Sequence, residues 1–225
     1  MRRATLVTSA IAATAALMLG ITAAFAGTGG TSMPATGHTM HTHKATALSA
    51  ADLRITLDRL LGEHAVLAMN TTNLGVTGSK AFPAAAKALD RNSVALSQAI
   101  GSIYGRKAGE AFLNGPFMWR AHVKFFVDYT VATAKGDAAA KNKAVANLQT
   151  YTVKFGDFLA TATGLPKLAV RNDLLGHVLE LKGQLDAYAN HQYGKAATMY
   201  QHAYDHMFMT GDLLAGAIAK QKDLK

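Results

Sequence analysis

The sequence predicts an all-α fold: an antiparallel bundle of about six helices arranged as three helical hairpins. Three observations carry this. Apolar residues recur at intervals of three and four over most of the chain. No stretch keeps the alternation of a half-buried strand. Glycine, proline and capping residues divide the apolar-periodic segments at helix-length intervals.

The N-terminus precedes the bundle. Arg2 and Arg3 are followed by an uncharged, apolar run from Ala4 to Ile21, and Ala24–Ala26 supplies a small-x-small site. This pattern predicts a secretory signal peptide over residues 1–26. An uncleaved membrane anchor is the alternative reading of the same run. Residues 27–47, GTGGTSMPATGHTMHTHKATA, are rich in Gly and Thr and lack large aliphatic side chains, which predicts a flexible linker. The domain that remains, residues 48–225, is long enough for one core.

Within that domain, Ser49 opens the first helix in a capping-box-like SAAD. Leu53, Leu57, Leu60, Leu61, His64 and Leu67 then share a face. Gly75 and Gly78 end it, and Pro83 suits the first turn of a second helix running to about Tyr104. Gly105 and Gly109 are expected to loosen the next turn, and Gly115–Pro116 to break the chain's helical course. A third helix carries Met118, His122, Phe125, Phe126 and Tyr129, with Trp119 as a core anchor. Gly136–Asp137 separates it from a fourth, through Leu148, Tyr151, Phe155 and Leu159. TGLP at 163–166 precedes a fifth with Val170, Leu174, His177, Leu181 and Leu185, and a sixth runs from about Lys195 to Lys220. The segments LLGEHAVLAM, MWRAHVKFFV and DLLGHVLELK form a faint repeat, each placing a histidine before an apolar stretch, roughly 55–60 residues apart.

The chain resembles a group of poorly characterised exported bacterial all-helical proteins with a helical-hairpin repeat. The matching segments are LLGEHAVLA, ALDRNSVALSQAIGSIYG, WRAHVKFFVDYT and HMFMTGDLLAGAIAKQ, which cover much of residues 56–221. The resemblance implies export and the helical repeat, and brings no activity or site residues with it.

The chain contains no cysteine, which excludes disulfides, thiolate metal sites and cysteine nucleophiles. Glu63, Glu110 and Glu180 are its only glutamates, and none stands three residues before a histidine, so a di-iron site of ferritin type is excluded. HExxH, GxSxG and P-loop motifs are missing, and a non-enzymatic role is favoured. The formal charge of +9 is spread along the chain without a basic run. It suits a solvated surface or contact with anionic envelope polymers rather than nucleic acid.

Histidine and methionine are the remaining source of chemistry. His38, His41 and His43 lie in the linker near Met33 and Met40, a short tract of the kind that wraps metal ions. His64, His122 and His177 lie within apolar helix faces, where they are either a shared core metal site or a structural polar layer. Glu63 and Glu180 stand close to two of them and suit either role. Met199, His202, His206 and Met209 fall in one narrow arc of the last helix, and their thioether and imidazole groups suit copper(I). The alternative for that arc is core filling and edge capping. The expected function is therefore binding or buffering of a transition metal, copper first and zinc second. The alternatives are an envelope-associated scaffold with structural histidines and, third, an enzyme using a core-bound metal.

Overall fold

The computed structural model describes residues 49–225, so the leader-like segment and the linker with His38, His41 and His43 lie outside the described residues. Seven α-helices and no strands occur among the described residues. They are α1 (Ala50–Val76), α2 (Phe82–Tyr104), α3 (Arg106–Leu113), α4 (Trp119–Lys135), α5 (Ala138–Thr163), α6 (Lys167–Ala189) and α7 (Tyr193–Lys222).

Helix boundaries follow local chemistry. The Asp52 N–H donates to Ser49 Oγ at 3.0 Å and the Ser49 N–H donates back to Asp52 Oδ2 at 3.3 Å, closing a reciprocal cap on α1. Asp137 accepts from the Ala140 N–H at 2.9 Å and starts α5. Gly136 and Gly164 end α4 and α5 in the left-handed conformation that glycine adopts without penalty.

The seventh helix is a departure from the expected six. Gly109 lies inside α3 and does not loosen it. A Cβ there would stand 2.4 Å from the Ser97 carbonyl oxygen and 3.1 Å from Gly101 Cα, so the missing side chain lets α3 fold back closely on α2. Ser97 Oγ donates to the Gly109 carbonyl at 2.8 Å and fixes the contact. The breaks fall at Gly105, which separates α2 from α3 with φ of 91°, and at Gly115, where φ is 146°.

Helix α1 packs against α2, α4, α6 and α7, while α4 packs on α5, α5 on α6, and α6 on α7. The main core runs through these interfaces, from Leu57 and Leu61 through Leu96, Phe112, Trp119 and Phe155 to Met207 and Ile218. Trp119 is buried and donates its indole N–H to Ser93 Oγ at 3.2 Å. Two forked ion pairs join helices around the outside. Arg120 donates to Asp90 at 2.7 and 3.2 Å, and Arg171 to Asp157 at 2.8 and 2.7 Å. Among the described residues, no helix is long and apolar enough to cross a membrane.

Candidate metal centre

The apolar stripe of each histidine-bearing helix turns its imidazole inward. In α1 the buried sequence Leu57, Leu61, His64, Ala68 advances by four, three and four residues; in α6, Val170, Leu174, His177, Leu181 does the same. In α4, His122 follows buried Trp119 by three. The histidine therefore replaces a leucine-like position in all three stripes, and packing of α1 on α4 and α6 brings the rings to one point. His64, His122 and His177 are 1%, 1% and 2% exposed. One ring nitrogen from each lies within 4.8 Å of the other two.

Aromatic groups wall this centre. The Trp119 ring centroid is 4.8 Å from that of His64 and 4.6 Å from that of His122. His122 stacks on Tyr151 at 4.6 Å with 20° between the planes. The hydrogen-bonding capacity of the trio is largely unused. Nδ1 of His64, Nδ1 of His122 and both ring nitrogens of His177 are buried with no hydrogen-bond partner among the described residues. Leaving such a group unpaired costs about 1–3 kcal/mol. A cavity of about 10 Å³ adjoins His64 and His122, close to the space one water needs. It is lined also by Thr71, whose hydroxyl is buried and unpartnered among the described residues.

Burial sets the protonation of the trio. It pushes the His122 imidazole down to about 3, helped by His177 nearby. Burial holds His64 and His177 well below the ordinary histidine range as well, and each feels a neighbouring imidazole. All three are neutral near pH 7, the form in which imidazole offers a lone pair to a metal.

The Met199–His202–His206–Met209 arc, in contrast, is divided between two environments. Its inner edge faces α6, where Met199 packs over Gly183 and His206 over Gly176. Its outer edge faces solvent: His202 is exposed and Met209 is 63% exposed. His206 has no free nitrogen. Nδ1 lies 2.8 Å from Glu180 Oε2 and Nε2 lies 3.3 Å from Asp173 Oδ1. Thr210 Oγ1 donates to the other Asp173 oxygen at 3.1 Å. The Asp173 hydrogen bond, with that of Glu180, raises the His206 pKa to about 9 against the opposing effect of burial. With a carboxylate on each nitrogen, His206 has no nitrogen open to a metal in this arrangement. Glu180 is thus committed to His206, and Glu63 accepts from Asn92 Nδ2 at 3.1 Å.

No family model, curated protein or solved structure matches the chain. Sequence reasoning passes over Asp173, although its spacing from Glu180, seven residues on α6, is a sign of two carboxylates on one face. Trp119 reads from sequence as a core anchor; its place three residues before His122 also makes it a wall of the histidine centre.

Proposed function

We propose that the protein is an exported helical protein that binds a transition metal through His64, His122 and His177, copper first and zinc second. The observation that carries this reading is a set of three buried, neutral imidazoles that bring one ring nitrogen each within 4.8 Å of the others, every ring having at least one unpartnered nitrogen among the described residues. A tetrahedral ion with metal–nitrogen bonds of about 2.0–2.1 Å sets its ligand nitrogens about 3.3 Å apart. Binding then requires the rings to draw together by about 1.5 Å at most, within the reach of small rotamer changes. The cavity beside Thr71 offers a place for a fourth, non-protein ligand.

Charge favours copper. The trio includes no carboxylate, so a bound ion keeps its full charge in apolar surroundings. The cost of burying a charge rises with its square, which favours copper(I) over a divalent ion. Among divalent ions, nitrogen donors favour copper(II) over zinc. Export is supported by Arg2, Arg3, the apolar run and the Ala24–Ala26 site, and the histidines at 38, 41 and 43 suit first capture of the ion. One buried histidine on each of three helices, α1, α4 and α6, supports the site and suits an arrangement as three hairpins.

A second reading, a structural polar layer that fixes helix register, is favoured by the stack of His122 on Tyr151. Metal-free protein titrated with copper(I), copper(II) and zinc decides between the two. The single tryptophan lies against two of the rings and reports binding by its emission. The metal reading requires one ion per chain and at least 100-fold weaker binding in His177→Leu, with His202→Ala unchanged. Binding at full strength in His177→Leu and in His122→Leu, or lost only on deleting residues 27–47, overturns the core site.

A further inference from the structure

A second hollow lies between α2, α3, α5 and α7, outside the histidine centre. Its volume is about 170 Å³, and Ile100, Phe112, Phe158, Leu159, Leu214 and Ile218 form most of its wall. Two lining side chains carry polar atoms, and both are bonded elsewhere. Thr163 Oγ1 donates to the Leu159 carbonyl at 2.7 Å. The Tyr104 hydroxyl donates to Gln221 Oε1 at 2.6 Å, and Gln221 Nε2 donates to the Ala162 carbonyl at 2.9 Å. Lys222 Nζ lies 4.4 Å above the Tyr104 ring, completing a polar clasp at that end. Both hydroxyls have their one proton committed, so no side-chain donor among the described residues lining the hollow is left to face a ligand.

The surrounding structure holds the hollow open. Helix α3 is fixed on α2 through Gly109 and the Ser97 bond, which sets the position of Ala108 and Phe112. The Phe112 ring is stacked on Trp119 at 5.3 Å and meets the edge of Phe155 at 5.3 Å, so it cannot turn inward without breaking both contacts. On the opposite side, the clasp at Gln221 ties the end of α7 to Tyr104 of α2 and Ala162 of α5. An apolar hollow that cannot collapse leaves its walls without contact partners, and an apolar ligand restores those contacts. Hollows of about 150 Å³ with Leu, Ile and Phe walls stay dry and take up one benzene ring.

We propose that this hollow is a binding site for a small uncharged apolar molecule, of the size of one six-membered ring or a branched alkyl group. Its inner wall, formed by Ile100, Phe112, Leu159 and Leu214, is shared with a cavity of about 30 Å³ that Trp119 and His177 also line. A ligand in the outer hollow is thus one side-chain layer from the histidine centre. The proposal does not depend on a metal being held there.

Benzene is the probe, added to the metal-free full-length chain, with melting temperature and Trp119 emission as readouts. The site predicts a saturable rise in melting temperature and a saturable change in emission. Phenol, whose hydroxyl gives up its hydrogen bonds with water to enter apolar walls, binds at least tenfold more weakly. Ala108→Leu, which fills the hollow, weakens the benzene response at least tenfold; Leu159→Ala, which enlarges it, extends binding to toluene. No saturable response to benzene in the unaltered chain overturns the proposal. So does an equal response to phenol, or an undiminished one in Ala108→Leu. If Ala108→Leu does not fold, the benzene-to-phenol ratio and the toluene response of Leu159→Ala decide it. Loss of the benzene response with metal titrations intact leaves the metal reading standing, and the reverse holds.

Discussion

The rings of His177 and His206 lie with centroids 6.3 Å apart, edge to face, and carry opposite protonation. His177 is walled by apolar side chains and other imidazoles, and both its nitrogens are unpartnered among the described residues. His206 is largely shielded between α6 and α7, with a carboxylate on each nitrogen. Burial without a counter-charge removes the proton from the first; two acceptors retain it on the second against the same tendency. One residue type thus provides a neutral base and a cation within a single α6–α7 interface. What separates them is where Asp173 and Glu180 point.

The largest effect expected from this contrast is acid lability of the metal-free protein. The trio's folded-state pKa values lie below the unfolded value of 6.5, so its contribution is present above pH 6.5 and is lost as pH falls toward 3. His122 alone, moving from 6.5 to about 3, accounts for on the order of 5 kcal/mol over that window. That is comparable with a whole domain's stability of roughly 5–15 kcal/mol. Urea unfolding between pH 7 and 4 is expected to show stability falling with a slope steeper than one proton, and His122→Leu to reduce the slope. A pH-independent midpoint over this range breaks the comparison.

The next effect has the opposite sign. The folded-state value of His206 lies above the unfolded one, so its contribution is complete below pH 6.5 and is lost as pH rises through about 9. Asp173→Asn removes the charge beside Nε2 and leaves the Thr210 hydroxyl an amide partner. It is expected to destabilise the fold by about 1–3 kcal/mol at pH 6, typical of a charged hydrogen bond, and by less at pH 9.5. Equal losses at the two values, measured by urea unfolding, mean that His206 is not charged in the folded state.

How much of this is legible in the sequence depends on the interaction. His64, His122 and His177 stand out because each interrupts an apolar stripe at a related repeat position, and the stripe alone decides that the side chain points inward. Their mutual approach depends on crossings of α1 with α4 and α6, which no spacing along the chain encodes. The arc from Met199 to Met209 is equally regular, yet an arc does not reveal which of its edges meets a neighbour. Met199 and His206 fall on the α6 side, His202 and Met209 on the solvent side. Gly109 reads as a breaker from its backbone freedom, whereas its role is close approach to Ser97 and Gly101, a tertiary fact. The hollow beside Phe112 is invisible for the same reason: it is the space left by four helices, and no residue marks it.

The smallest expected effect sharpens the contrast within α7 itself. His202 and Met209 lie in the same arc as His206 but touch neither carboxylate nor the histidine centre. Met209 is 63% exposed, so truncation forfeits little burial. Replacing both with alanine removes a histidine and a thioether while leaving the α6–α7 interface intact. Surface substitutions of this kind change stability by about 0.5 kcal/mol or less. The double variant is therefore expected to keep the unfolding midpoint and, on the proposed metal reading, any copper affinity of the unaltered chain, which His177→Leu loses while keeping the fold. A drop in copper affinity in the His202→Ala, Met209→Ala variant would instead locate the ligands on the solvent face of α7. The buried imidazoles would then serve packing, and their unpartnered nitrogens would be a cost of that role.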